Sequence, residues 1–432
     1  MSHSEQSNTP EQGSKKRLNN AKKSKRPWII SLAVLLVILI VVGVSWLLLA
    51  NDEEDFGQPA QSPKLEIVDK QIPADLSVGV VVSYTEDAFE GRGWDLAGEG
   101  ARVAAWRLEQ GGKEVKLPVV SDQGSAEGSV KAIEDLKSQG VTAALALTSG
   151  THAEALAEAA AEANLPIIFP YQVPKTKSDA TAWYAMPTEQ ELNQLVSGHI
   201  AGLGCENPVV FEGAKTQFEG LEGTKISVGA DGVEKPLEDL VKVLEDSDVK
   251  NCIVLDTDPV VSAHLVQGIH GLNLNLATIG GPALVNPLFA QTLGDNAEVL
   301  KNVYAVGAPS AIGVSMTPGS EGARAAVFER AVSIMAQDPE LASVTADEFF
   351  QERAGFADTV SHDALLALVK AVAIADSDDA ADISEAMGAV TIEENDGFAS
   401  EQLAFVEGGE PVGMVQALPV VGGFVWASPA ED

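Results

Sequence analysis

LSVGVVVS (residues 76–83) and WDLAGEGARVAAWRLEQ (94–110) decide how the rest of the chain is read. The first is a short apolar run of the kind that forms a strand covered on both faces. The second repeats at helical period, with Leu96, Ala97, Gly100, Ala101, Ala104 and Leu108 on one face. The alternation continues outward: strand 115–120, helix 126–139, strand 143–147, helix 152–163 and strand 166–169. Four βα repeats in order predict a parallel sheet covered on both faces and built from right-handed crossovers. After a break at TAWYAMPT (181–188), a second unit follows: helix 190–203, strands 208–212 and 224–228, helix 237–246, strand 251–255, helix 259–270 and strands 276–279 and 303–306. Helices 320–337 and 356–375 come next, and the end is strand-rich at 402–406, 413–418 and 423–426. The expected class is α/β, with two doubly wound parallel-sheet lobes.

Outward in the other direction lies WIISLAVLLVILIVVGVSWLLLA (28–50), which carries no charged side chain. At ~1.5 Å per residue a helix of this length spans the ~30 Å hydrocarbon layer. Trp28 and Trp46 stand near its ends, where interfacial rings belong. It is longer than a cleavable signal core, and Leu48-Leu49-Ala50 is a poor cleavage site, so it reads as a permanent span. Residues 1–27 carry seven basic and two acidic side chains, whereas Asp52 to Asp55 are acidic. The expected topology is therefore a single-pass protein of the cell membrane, with a disordered cytoplasmic tail at 1–27 and an extracytoplasmic remainder. Residues 28–50 would then contact membrane lipid, and 51–75, acidic and carrying Pro59, Pro63 and Pro73, read as a linker.

From 51 onward the chain holds 21 basic and 61 acidic residues, a balance that repels phosphate backbones and excludes a nucleic-acid partner. Catalytic patterns fail. Gly91-Arg-Gly93 opens a helix after the first strand, but the next helical glycine is Gly98, five positions on, so no dinucleotide fingerprint forms. His152, His199, His264, His270 and His362 show no metal-ligand spacing. No enzymatic activity, cofactor or metal is expected. Cys205 ends a helix just before strand 208–212, and Cys252 opens strand 251–255. With a 2-1-3 strand order these would be neighbours, which predicts a Cys205–Cys252 disulfide in an oxidising compartment.

GRGWDLAGEGARVAAWRLEQGGKEVKLPVVSDQGSAEGSVKAIEDLKSQGV (91–141) resembles the opening of the type I periplasmic binding proteins, the receptors of branched-chain amino-acid ABC transporters. SGTHAEALAEAAAEANLPIIFP (149–170), GGPALVNPLFAQTLGDNAEVLKNVYAVGAP (280–309) and the helix carrying His362-Asp363-Ala364 follow in the family's order. The resemblance implies two lobes joined by a three-strand hinge near 184–188, 305–309 and 390–397. Lobe one would be 76–187 plus 307–389, and lobe two 188–306 plus 390–428. A ligand would lie beyond the carboxyl ends of the strands. The loops there are Tyr84-Thr85, Asp122-Gln123, Thr148 to Thr151, Tyr171-Gln172, Phe211-Glu212 and Asp256-Thr257. By the resemblance, Ser149 or Thr151, with backbone N–H groups around Gly150, would hold a ligand carboxylate, and Trp94 would line the cleft.

Three positions depart from the family. Phe169, Tyr171, Gln172 and Val173 stand where small and hydroxyl residues are usual, and Gly280-Gly281-Pro282-Ala283 replaces the acidic residue that grips an ammonium group. The region 211–224 is also short for a crossover helix. Two functions follow. One is a membrane-tethered receptor that captures a small polar solute, an amino acid or carboxylate, at Tyr84, Trp94, Ser149, Gly150, Thr151, Tyr171 and Asp256 for an ABC permease. The other is a ligand-free scaffold or accessory subunit of a membrane complex in the cell envelope.

Overall fold

The computed structural model describes residues 65–429 except 69–70, 75, 85–90, 178–180, 215–216, 219, 246–250, 295, 378, 394–395, 406–411 and 421–422. The basic tail, the apolar stretch 28–50 and most of the expected linker lie outside the described residues. Among those described, no helix is long and apolar enough to cross a membrane.

The first lobe begins with β1 (Leu76–Val82), the short helix α1 (Trp94–Ala97) and α2 (Glu99–Gln110). It continues through β2 (Val115–Lys116), β3 (Val119–Ser121), α3 (Ala126–Ser138), β4 (Ala143–Leu147), α4 (His152–Glu162), β5 (Ile167–Phe169) and β6 (Ala182–Tyr184). β1 pairs in parallel with β2, β3 and β4, and β5 and β6 continue the sheet, so its order is 2-1-3-4-5 once β2 and β3 are taken as one interrupted edge strand. All five residues of β4 are buried, as a strand covered on both faces requires. α3 starts where Ser125 accepts a hydrogen bond from the Gly128 N–H.

Immediately after β6, Thr188 and Glu191 form a reciprocal capping box that starts α5 (Glu189–Gly202). The second lobe then runs β7 (Asn207–Glu212), β8 (Thr224–Ser227), α6 (Glu234–Glu245), β9 (Asn251–Asp256), α7 (Pro259–Gly271), β10 (Thr278–Gly280), α8 (Pro287–Leu293) and β11 (Val303–Gly307). Its parallel strands repeat the first lobe's order, β8-β7-β9-β10-β11. The chain leaves β11 into α9 (Ala311–Val314), α10 (Ser320–Met335), α11 (Phe350–Arg353), α12 (Thr359–Ala375) and α13 (Ala380–Met387). It returns as β12 (Gly413–Val420) and β13 (Gly423–Ala427), which extend the second sheet antiparallel beyond β11. α12 packs on the first lobe: Leu365, Leu366, Leu368 and Val369 share one buried cluster with Val78, Val80 and Leu145.

β7 and β9 are neighbours in register, with Pro208 opposite Cys252. The Cys205–Cys252 disulfide forms there, with a Cα–Cα distance of 5.8 Å.

Several expected boundaries need correction. The helix expected at 94–110 is two, α1 and α2, because the backbone turns at Gly98 against the end of β4; a Cβ there would lie 2.1 Å from Leu147 Cδ1. The strand expected at 115–120 is interrupted at Leu117-Pro118, where proline has no N–H to donate. The break at 181–188 contains β6. Residues 402–405 are turn and bend rather than strand. Phe398, Leu403 and Phe405 bury themselves in the first lobe's core, not the second's, and Ile67 and Ile72 from the expected linker join them.

Candidate functional site

The carboxyl ends of β1, β3 and β4 converge on four buried polar side chains. Ser83 Oγ donates to Asp122 Oδ1 at 2.7 Å and lies 2.6 Å from Thr148 Oγ1. His152 Nε2 is 2.9 Å from Thr148 Oγ1, 3.0 Å from Asp122 Oδ2 and 3.2 Å from Ser83 Oγ. Serine, histidine and aspartate so close invite a nucleophile reading, which the geometry refuses. A relay needs the carboxylate on the ring nitrogen opposite the hydroxyl. Here one nitrogen serves both, Nδ1 has no hydrogen-bond partner, and Ser83 donates directly to the carboxylate. Gly91 closes over the cluster at φ +79°, and a Cβ there would sit 2.3 Å from Thr148 Oγ1. The group ties three strand ends together. Its signal in the sequence was polar residues at the ends of successive apolar strands, and only their convergence was missing.

In front of this cluster stands the expected anion-binding loop. Ser149 Oγ accepts a hydrogen bond from Trp94 Nε1 at 2.8 Å. The Gly150 N–H donates to Gln172 Oε1 at 2.7 Å, and Gln172 Nε2 in turn donates to the Val173 carbonyl. Thr151 is exposed just before α4, and its side chain does not cap the helix. Trp94 and Tyr171 are both buried and lie stacked, with ring centroids 4.2 Å apart and planes 7° from parallel. Tyr171 Oη donates to Asp358 Oδ2 at 3.0 Å, and Asp358 Oδ1 accepts from the Ser361 N–H and hydroxyl at the start of α12. Burial pushes Asp358 up to about 6, against hydrogen bonds from Ser361 and Tyr171 that pull it down. Phe169 is fully buried and stacks on Tyr184.

The other expected site residues lie elsewhere. Tyr84 is 41% exposed; its hydroxyl donates to Asp347 Oδ2 at 3.2 Å, and partial burial pushes it up to about 12. Asp256 is buried at the end of β9 and accepts from the Gln217 and Phe218 N–H groups at 2.7 and 3.2 Å. It holds the short loop after β7, and burial raises its pKa. Asp258, two residues on, caps α7. The sequence reading thus brings Trp94, Ser149, Gly150 and Tyr171 together but not Tyr84 or Asp256.

The lobes meet in front of α1. Asn286 Nδ2 from the second lobe donates to the Arg92 carbonyl at 3.1 Å. A Cβ on Gly93 would lie 2.5 Å from Asn286 Oδ1 and 2.6 Å from Leu288 Cγ. Beside this contact a cavity of about 240 Å³ opens, lined by Trp94 and Tyr171 from one lobe and Val285, Pro287 and Ala290 from the other. Ser310 and Trp426 also line it.

Two clusters escaped the sequence reading. Arg353 Nη1 is 3.1 Å from Asp95 Oδ2 and 4.0 Å from Glu99 Oε1, Nη2 is 3.1 Å from Asp347 Oδ2, and Nε donates to Glu348 Oε2 at 2.7 Å. Burial opposes the Arg353 charge, but these carboxylates prevail and raise its pKa above the ordinary range. Arg107, buried in α2, donates to His362 Nε2 at 2.9 Å and to the Gly397 carbonyl at 2.6 Å. Burial lowers the pKa of His362, so its Nε2 accepts from Arg107 while Nδ1–H donates to Asp363 at 2.7 Å. Both clusters join residues more than 240 positions apart, which no local pattern reveals.

No family model matches the sequence, and no curated protein does. Solved structures match over most of the chain. The branched-chain amino acid transporter substrate binding protein LivJ from Streptococcus pneumoniae, in complex with isoleucine, is 15% identical with a TM-score of 0.59, covering 82% of this chain and 100% of that one. An ABC transporter substrate-binding protein from Desulfitobacterium hafniense, in complex with Leu, is 13% identical with a TM-score of 0.57 over 82% and 100%. The leucine binding protein LivK from Thermotoga maritima is 15% identical with a TM-score of 0.58 over 82% and 97%. A likeness at these identities is one of fold, and the fold is that of the type I periplasmic binding proteins.

Proposed function

We propose that this chain is a solute-binding receptor that captures a small molecule between its two lobes and passes it to an ABC permease. The observation that carries the reading is the cavity walled by Trp94 and Tyr171 on one side and by Val285, Pro287 and Ala290 on the other. A ligand there touches both lobes at once, so its binding energy favours the closed arrangement. The apolar stretch 28–50 tethers the receptor to the cell membrane, with the basic tail inside and the two lobes outside.

A second reading, the ligand-free scaffold or accessory subunit of an envelope complex, is favoured by a specific observation. The Gly150 N–H, which a ligand carboxylate would use, already donates to Gln172, while Ser149 Oγ accepts from Trp94 Nε1. A competing carboxylate must displace the Gln172 amide. Thermal unfolding of the full-length chain in detergent, screened against amino acids, small carboxylates and amines, separates the readings. A ligand at 100 times its dissociation constant stabilises by about 2.7 kcal/mol and raises the melting temperature. Gln172→Ala frees the Gly150 N–H and is expected to strengthen any carboxylate binding. No shift for either protein, together with no copurified molecule in native mass spectrometry, would leave the scaffold.

A further inference from the structure

We infer that the inter-lobe cavity is built for a small organic cation, an amine or quaternary ammonium ion, rather than for an α-amino acid. This rests on the receptor reading and names its ligand class. Among the described residues, the cavity walls contain no Lys, Arg or His that would neutralise a ligand carboxylate. They contain two carboxylates, Asp358 at the start of α12 and Glu329 on α10.

These two differ in how they are satisfied. Asp358 is held by Ser361 and by the Tyr171 hydroxyl. Glu329 is half-buried, and no described hydrogen bond or ion pair reaches its side chain, which leaves its oxygens available to a ligand donor. An uncompensated carboxylate beside an apolar wall costs free energy unless a cation joins it.

The rest of the wall suits the body of such a cation. Trp94, Tyr171, Phe356, Phe424 and Trp426 all line the cavity. Aromatic faces attract an ammonium ion within about 6 Å through the ring quadrupole, and several rings together hold a quaternary ammonium that cannot donate a hydrogen bond. The volume of about 240 Å³ limits the guest to a small molecule. The Ser149–Thr151 loop takes no part in this wall.

The test is isothermal titration of the full-length chain in detergent with choline, tetramethylammonium and L-leucine, repeated on Glu329→Gln. The inference expects choline or tetramethylammonium to bind and Glu329→Gln to weaken that binding by on the order of ten-fold. L-Leucine should neither bind at the cavity nor compete. Because an uncompensated, half-buried carboxylate costs free energy that Gln does not, the variant should melt at or above the parent, and a cooperative unfolding curve verifies that it is folded. If L-leucine binds and Glu329→Gln leaves its affinity unchanged, the cation assignment is overturned while the receptor reading stands. If none of the three binds and native mass spectrometry finds no copurified molecule, both fall together.

Discussion

Replacing Glu99 with Gln tests whether a carboxylate buried beside Val344 and Arg353 is held neutral. Glu99 is fully buried in the first turn of α2, where both its oxygens lie 3.1 Å from the Val344 N–H. Burial pushes it from 4.5 up to about 8, against the pull of the Val344 N–H and of Arg353. The folded protein therefore keeps a proton that the unfolded chain releases above 4.5. Between those two values the unfolded state binds fewer protons, so stability falls as pH rises. At about 1.36 kcal/mol per unit, the loss reaches roughly 4–5 kcal/mol by pH 8. Gln resembles the protonated acid and keeps an oxygen for Val344, so Glu99→Gln should match the parent near pH 4.5 and outlast it at pH 8. For a folded unit of this size, a melting entropy of ~2.1 cal/mol/K per residue converts the difference to a gap of about 6 °C. Differential scanning of both proteins from pH 4.5 to 9 reads it directly. Parallel curves would refute the reasoning and show Glu99 ionised throughout, paired with Arg353 at 4.0 Å.

Two further substitutions probe the scaffold. The Cys205–Cys252 bridge closes a separation of 47 residues, worth about 4 kcal/mol in the chain-entropy account. Cys205→Ser with Cys252→Ser should lower the melting temperature by several degrees and abolish its sensitivity to reductant; an unchanged melting temperature counts against the bridge. Gly91→Ala combines a left-handed backbone at φ +79° with a Cβ 2.3 Å from Thr148 Oγ1, so it should cost about 2–4 kcal/mol. Gly112→Ala, with the same φ and nothing within 4 Å, isolates the backbone penalty and should cost about 1–2 kcal/mol. Equal melting temperatures for the two variants would show that the Ser83–Asp122–Thr148–His152 cluster tolerates an intruding methyl group.

The parallel strands were legible because burial on both faces leaves an uninterrupted apolar run. AALAL at 143–147 reads as one strand and is one. The disulfide was legible because a 2-1-3 order brings β7 beside β9, whatever the loop between them does. Segments that bury apolar residues without a regular ladder were not. Leu403 and Phe405 alternate like a strand, yet they plug the first lobe's core from a turn. β6 is three residues of sheet inside a stretch that reads as a loop.

The site divides in the same way. Ser149 and Tyr171 were legible as strand-end positions from topology, and Trp94 as a first-helix aromatic from the family resemblance. What these residues do there depends on Gln172, one position beyond Tyr171, whose amide carbonyl satisfies the Gly150 N–H. A buried N–H must find a partner, and a ligand is only one candidate. With a side chain of the protein in that role, a carboxylate ligand gains only the difference between its own hydrogen bond and the one it breaks. Among the described residues no such competitor reaches Glu329, which lines the same cavity as Trp94. In the proposed reading, the electrostatic demand of the cleft therefore lies with a cation at Glu329 rather than with an anion at the Ser149–Thr151 loop.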